Sequence, residues 1–327
     1  MQTQTLYIPT LQDIEQARQR ISKYLLKTPL RYSPGLSRLT GAEVYIKYEN
    51  HNPTCAFKVR GGINFVSKLI SSENYKGEKL LAGSTGNHGQ SIAYAGKLFD
   101  VPVVIACPEG SNPVKVQAIK DFGAEVIVWG KDVFETWEYC EKFSEEKNCI
   151  YVHSAKEPAL FEGVGIIGLE VHEDLPYLDC FITAVGGGSG ACGSAIALKS
   201  KNPDIKIYGV QSTGAPAVHD SFKQKKLITY PDLNTFAEGL ATRNVFSYAL
   251  DIIEKYVDDI FLVSDDELKK SILLLIEHTH NIAEGAGAAS LAALIKNKKL
   301  FQGKKVVCVL TGGNLQIKTL KEIITSS

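Results

Sequence analysis

Neither sign of charge predominates in this 327-residue chain: 36 lysines and arginines are matched by 36 aspartates and glutamates. With no net field, nothing draws the chain as a whole toward nucleic acid or an anionic membrane. No Cys-x-x-Cys spacing occurs among the seven cysteines Cys55, Cys107, Cys140, Cys149, Cys180, Cys192 and Cys308. Their separations and mostly apolar contexts argue against a zinc site or a disulfide framework, and favour buried thiols in a reducing cytoplasm. The first twenty residues show no basic-then-apolar order, so no secretory signal is expected. Low-complexity tracts and repeats of solenoid length are missing as well.

The sequence also has no long apolar run that survives inspection. Cys180 to Leu198 carries no charge and has about the length a bilayer requires. Glycines 186, 187, 188 and 190 break it in the middle, so it reads as a strand and a helix joined by a turn. What remains is an ordinary globular composition, 44% hydrophobic and 22% charged, long enough for one large domain or two packed together.

A short apolar strand, a glycine-rich turn and an amphipathic helix recur along the chain. "KLLAG" leads through Ser84-Thr85-Gly86-Asn87-His88-Gly89 into the helical "QSIAYAGKLFD", then the strand "VPVVIACP". "VKVQAIKDFG" and "AEVIVWG" repeat helix and strand. "DCFITAV" leads into "GGGSGA", a helix to about Lys199 and the strand "IKIYGVQ"; "KKVVCVL" ends in Thr311-Gly312-Gly313-Asn314. Such alternation predicts an α/β fold of parallel βαβ units with helices on both faces of open sheets. All three glycine turns fall at carboxyl ends of strands, where such sheets bind ligands. We expect residues 79–154 to form a small α/β domain inserted in a larger one, made of residues 1–78 and 155–327. The site then lies in the cleft between them.

The turns carry the chemistry. In "AVGGGSGACGSAIAL", backbone N–H groups at a helix N-terminus suit a phosphate, because unpaired donors and the helix dipole both face the anion. Gly188, Gly190 and Gly193 also satisfy a dinucleotide fingerprint, but the next strand ends in Gln211 where that fingerprint needs an acid. A single phosphate fits better; close helix–sheet packing is the structural alternative. In "NPTCAFKVRGG", Lys58 is either a solvated strand-edge residue or a nucleophile made reactive by apolar walls. Lysine plus a one-phosphate cradle suggests pyridoxal phosphate. Locally, Thr311 admits a turn role alone, and Glu284, expected in the first turn of a helix "EGAGAAS", admits a dipole role alone.

Together "AFKVRGG", "GSTGNHGQSIAYA", "GGGSG", "EGAGAAS" and "LTGGN" resemble, in order and spacing, the threonine/serine dehydratases and serine racemases. These are pyridoxal phosphate enzymes of the tryptophan-synthase-like fold type II. The resemblance runs from about Ile14 to the last helix. It implies that Lys58 holds the cofactor aldehyde as a Schiff base and that Phe57 packs beside the ring. It gives Asn87 to the ring hydroxyl, and the phosphate to Gly186, Gly187, Gly188, Ser189 and Gly190. Thr311 goes to the pyridine nitrogen, and Glu284 joins the cofactor site. Ser84, Thr85, Gly86, Asn87 and His88 then hold the substrate carboxylate. It also implies dehydration of L-threonine and L-serine, with Lys58 as general base at Cα and a neutral hydroxyl at the ring nitrogen favouring β-elimination. Serine racemase and 3-hydroxyaspartate ammonia-lyase are the alternatives; a nicotinamide oxidoreductase is a remote one.

Two departures matter. Family racemases carry an acidic cation site where this chain has Gln211, Ala215 and Ala217, so no metal is expected. The chain ends soon after "LTGGN", so no regulatory domain is expected either. At the position where racemases place a second acid, a serine, stands Thr85. We expect a cytoplasmic homodimer or homotetramer whose partner is a small hydroxy-amino acid.

Overall fold

A computed structural model describes residues 7–84 and 86–326. Among these residues ten strands form two sheets. In chain order they are β1 Leu30–Tyr32, β2 Glu43–Tyr48, β3 Leu80–Gly83, β4 Val103–Cys107, β5 Glu125–Val128, β6 Ile150–Tyr151, β7 Cys180–Ala184, β8 Lys206–Ser212, β9 Asp259–Val263 and β10 Lys305–Leu310. The larger sheet runs β1-β2-β10-β7-β8-β9 and the smaller runs β5-β4-β3-β6. Every pairing is parallel except β1 with β2. The α/β class with mainly parallel sheets, helices on both faces, is therefore as the sequence predicts.

Strand side chains alternate between faces, and the cores follow that period. Phe181, Ile207, Val307 and Val309 enter the main core; Ile182, Tyr208, Cys308 and Leu310, each one residue on, enter a second core on the opposite face. In the smaller sheet Leu80, Ala82, Val103 and Ile105 join the same main core, whereas Leu81, Val104 and Ala106 face a third. One apolar core thus runs from sheet to sheet. The helices Lys58–Ile70 and Pro158–Asp174 contribute to it through Val59, Ile63, Leu160 and Phe161.

The uncharged run from Cys180 is β7, a turn and the helix Ser189–Lys201. Among the described residues no helix is long and apolar enough to cross a membrane. None of the seven cysteines is paired; five are buried, Cys149 is half-buried and Cys55 is exposed.

Candidate active site

β3, β7 and β10 end beside one another, and the residues that follow them share a cavity of about 380 Å³. Ser84, Gly86, Asn87 and His88 line it after β3, Gly186 to Gly190 after β7, and Thr311 after β10; Phe57, Lys58 and Glu284 complete the set. Every site residue expected from the sequence is therefore brought together, except Thr85, which lies outside the described residues.

Lys58 is not on a strand edge. It is the first residue of the helix Lys58–Ile70, and its Nζ donates to Ser189 Oγ at 2.7 Å. Burial lowers its pKa to about 8, so at pH 8 about half the amines are neutral, against well under 1% for an ordinary lysine. The Phe57 ring lies 5.1 Å from Nζ. A side chain at Gly190 would meet that ring at 3.0 Å.

The turn after β7 is shaped by Gly188, whose φ of +93° is costly for any residue with a Cβ. It caps the helix Ser189–Lys201, and no side chain closes that N-terminus. Its leading N–H groups are left for a ligand. By contrast Thr10, Asn112, Asp132 and Ser264 close their own helices with side-chain oxygens. The helix Asn87–Phe99 is likewise open at its N-cap, Gly86. Ser84 Oγ accepts from Gly86 N at 3.1 Å. The His88 ring is turned away from ligand duty: Nε2 bonds the Val152 carbonyl oxygen at 2.8 Å, and burial, then the Lys58 charge, lowers its pKa to about 4.

Glu284 stands at the N-cap of the helix Gly285–Lys296, one residue before the first turn where the sequence pattern set it. Its Oε1 accepts from Asn87 Nδ2 at 2.6 Å, and burial raises its pKa. Asn314 Nδ2 in turn donates to Asn87 Oδ1 at 2.8 Å, so Asn87 is held from both sides. Thr311 is buried, and its carbonyl accepts from Phe57 N at 3.0 Å. Gln211 Oε1 accepts from Val218 N and His219 N, both at 3.0 Å, and so caps a helix.

Several cavity residues escaped the sequence reading. Lys115, Trp137, Glu238 and Phe246 all line it. They come from helices and loops without motif, and no local signal distinguishes them from residues outside the site.

A family model described as "pyridoxal-phosphate dependent enzyme" matches residues 21–312. The chain belongs to this family. It is 35% identical to the L-threonine ammonia-lyase of Thermotoga maritima over 96% of this chain and 78% of that one. It is 33% identical to the catabolic L-threonine dehydratase of Escherichia coli K12, over 96% and 95%. Among solved structures, serine racemase from Dictyostelium discoideum superposes with a TM-score of 0.86 at 34% identity, covering 94% of this chain and 99% of that one.

The cofactor of this pyridoxal phosphate family fits the residues present. An uncapped helix N-terminus behind Gly188 suits the phosphate, and a lysine with a lowered pKa stands at its first residue, Ser189. A consequence is measurable. A lowered ammonium pKa makes the reactive neutral amine available at lower pH, so cofactor uptake by stripped enzyme should accelerate as pH rises through about 8 and level off above it. A rate that instead keeps climbing toward pH 10.5 would show Lys58 to be solvated.

Proposed function

We propose that this chain is an L-threonine/L-serine ammonia-lyase, converting the hydroxy-amino acid to a 2-oxo acid and ammonia. The observation that carries the reading is the pairing of Lys58 with Ser189 opposite a second, uncapped anion cradle at Gly86. Relatives named as threonine ammonia-lyase and dehydratase support the substrate class. The cofactor, when bound, supplies an electron sink for the charge that develops at Cα.

The protein's part is positioning and proton transfer. Backbone N–H groups of Gly186 to Gly190 and the Ser189 hydroxyl hold phosphate. Phe57 flanks the ring; Asn87, fixed by Glu284 and Asn314, addresses its hydroxyl; Thr311 offers a neutral hydroxyl to its nitrogen. The Ser84 hydroxyl and the N–H groups of Gly86, Asn87 and His88 hold the substrate carboxylate, His88 through its backbone because its ring is engaged. Lys58, as neutral amine, takes the Cα proton. The β-hydroxyl leaves as water, and hydrolysis releases 2-oxo acid and ammonia. Assays of L-threonine and L-serine should yield the two products in equal amounts; absence of both sinks the reading.

The neighbouring racemase fold favours one second activity, weak racemisation. It needs an acid on the face opposite Lys58, and we assign that part to Thr85. Chiral analysis should find D-serine from wild type and much less from Thr85→Ala; equal rates would remove Thr85 from the role.

The position of β3 to β6, all between residues 80 and 151, supports the proposed division into 1–78 with 155–327 and an inserted 79–154. We further propose a cytoplasmic homodimer or homotetramer; that it needs no divalent ion rests on Gln211, Ala215 and Ala217 standing where family racemases carry an acidic cation site.

A further inference from the structure

Apart from Lys58, Lys115 is the one lysine or arginine lining the cavity among the described residues. It sits on the helix Pro113–Asp121, which flanks the smaller sheet, and it is buried to more than nine-tenths. Its ammonium donates to Glu238 Oε2. Glu238 opens the short turn Glu238–Leu240 between β8 and β9 of the larger sheet and is itself half-exposed. No other hydrogen-bond acceptor of Lys115 is found among the described residues. The same corner holds buried Glu284, whose carboxyl feels Lys115 as an attraction and Glu238 as a repulsion.

The charge at this corner is thus spoken for. One ammonium faces two carboxyl groups, and the one imidazole lining the cavity among the described residues, His88, is kept neutral by burial. A substrate carrying a second carboxylate would have to displace Glu238 from Lys115 and then sit beside it and beside the buried Glu284 carboxyl, where like charges repel. A substrate with a neutral hydroxyl or hydroxyethyl side chain meets no such conflict.

We infer that the Lys115–Glu238 pair sets the side-chain charge selectivity of this site, admitting neutral 3-hydroxy amino acids and rejecting 3-hydroxyaspartate. Glu238 is the positioning residue: it occupies the one ammonium that would bind the extra carboxylate. Specificity here comes from a built-in repulsion as much as from an attraction. The inference rests on the ammonia-lyase reading above.

The test uses holoenzyme and measures kcat and KM for L-serine and for L-threo-3-hydroxyaspartate in wild type, Glu238→Gln and Lys115→Met/Glu238→Gln. Wild type should favour serine. Glu238→Gln should raise the ratio of kcat/KM for hydroxyaspartate over serine at least tenfold, mainly through KM, and the double variant should lose the gain. Succinate, an unreactive dicarboxylate, should bind Glu238→Gln about tenfold more tightly by calorimetry, with the same loss in the double variant. Glu238→Ala serves if Glu238→Gln fails to fold. An unchanged ratio with unchanged succinate affinity, or a gain that persists without Lys115, overturns the inference. If no hydroxy-amino acid is turned over, the ammonia-lyase reading fails, while succinate binding still reports on the charge pair.

Discussion

Lys58→Ala should lower turnover of L-threonine and L-serine by at least ~10³-fold, with folding intact. A positioned general base contributes about 10² to 10⁴ by itself, and the proposed role of this lysine includes anchoring the cofactor, so both losses would fall on one residue. The geometry leaves no substitute. Nζ is held by Ser189 Oγ at 2.7 Å beside the glycine turn after β7, and Lys115, the other lysine on the cavity wall, is tied to Glu238. Steady-state kinetics with 2-oxo acid detection give the magnitude, and a small primary amine added to the assay should restore part of the lost rate. A variant that retains a tenth or more of wild-type activity would show that proton removal at Cα does not depend on Lys58.

Arg60→Met should cost about 3–5 kcal/mol of stability, a fall in Tm on the order of 10 °C. Arg60 follows Lys58 by two residues and is among the largest fully buried side chains. Its guanidinium bonds both oxygens of Glu49, at 2.7 and 2.9 Å, and both of Glu170, at 2.8 and 2.9 Å. Lys47 adds a bond to Glu170 at 2.6 Å, and Thr28 one to Glu49 at 2.6 Å. Two cations therefore balance two carboxylates at the end of β2, binding the lysine-bearing helix to the helix Pro158–Asp174. Removing Arg60 leaves both carboxylates buried with one ammonium between them. Burial by itself would raise the Glu49 carboxyl, but the Arg60 charge and hydrogen bonds hold it below its ordinary value. Its contribution is present above the unfolded glutamate pKa and is lost as pH falls through the lower folded value. The gap in Tm between wild type and variant should accordingly narrow in acid. Thermal melts at neutral and acid pH check both points; melting within a degree or two of wild type at neutral pH would show that the network adds little.

Much of this was legible in the chain. Glycine turns after apolar strands marked the three strand ends, because backbone approach to an anion and a φ of +93° at Gly188 leave few residue choices. Strand and helix alternation marked the fold class for a similar local reason. Sheet order was not legible: β2 lies beside β10, with some 260 residues between them, and no local pattern records that pairing. The network around Arg60 was hidden for the same reason, since Glu49 and Glu170 are brought to it by tertiary packing and each alone looks like a surface charge. Lys115 and Glu238 read as ordinary helix and loop residues, and only the fold places their charges against one cavity. Glu284 was found by motif, but its hold on Asn87 required the structure.

The most direct test of the central claim is to reduce the purified holoenzyme with borohydride, digest it, and locate the pyridoxyl group by mass spectrometry. The account predicts a single modified peptide containing Ala56-Phe57-Lys58-Val59 with the label on Lys58. Label on Lys115 or any other lysine, or none at all, would contradict it.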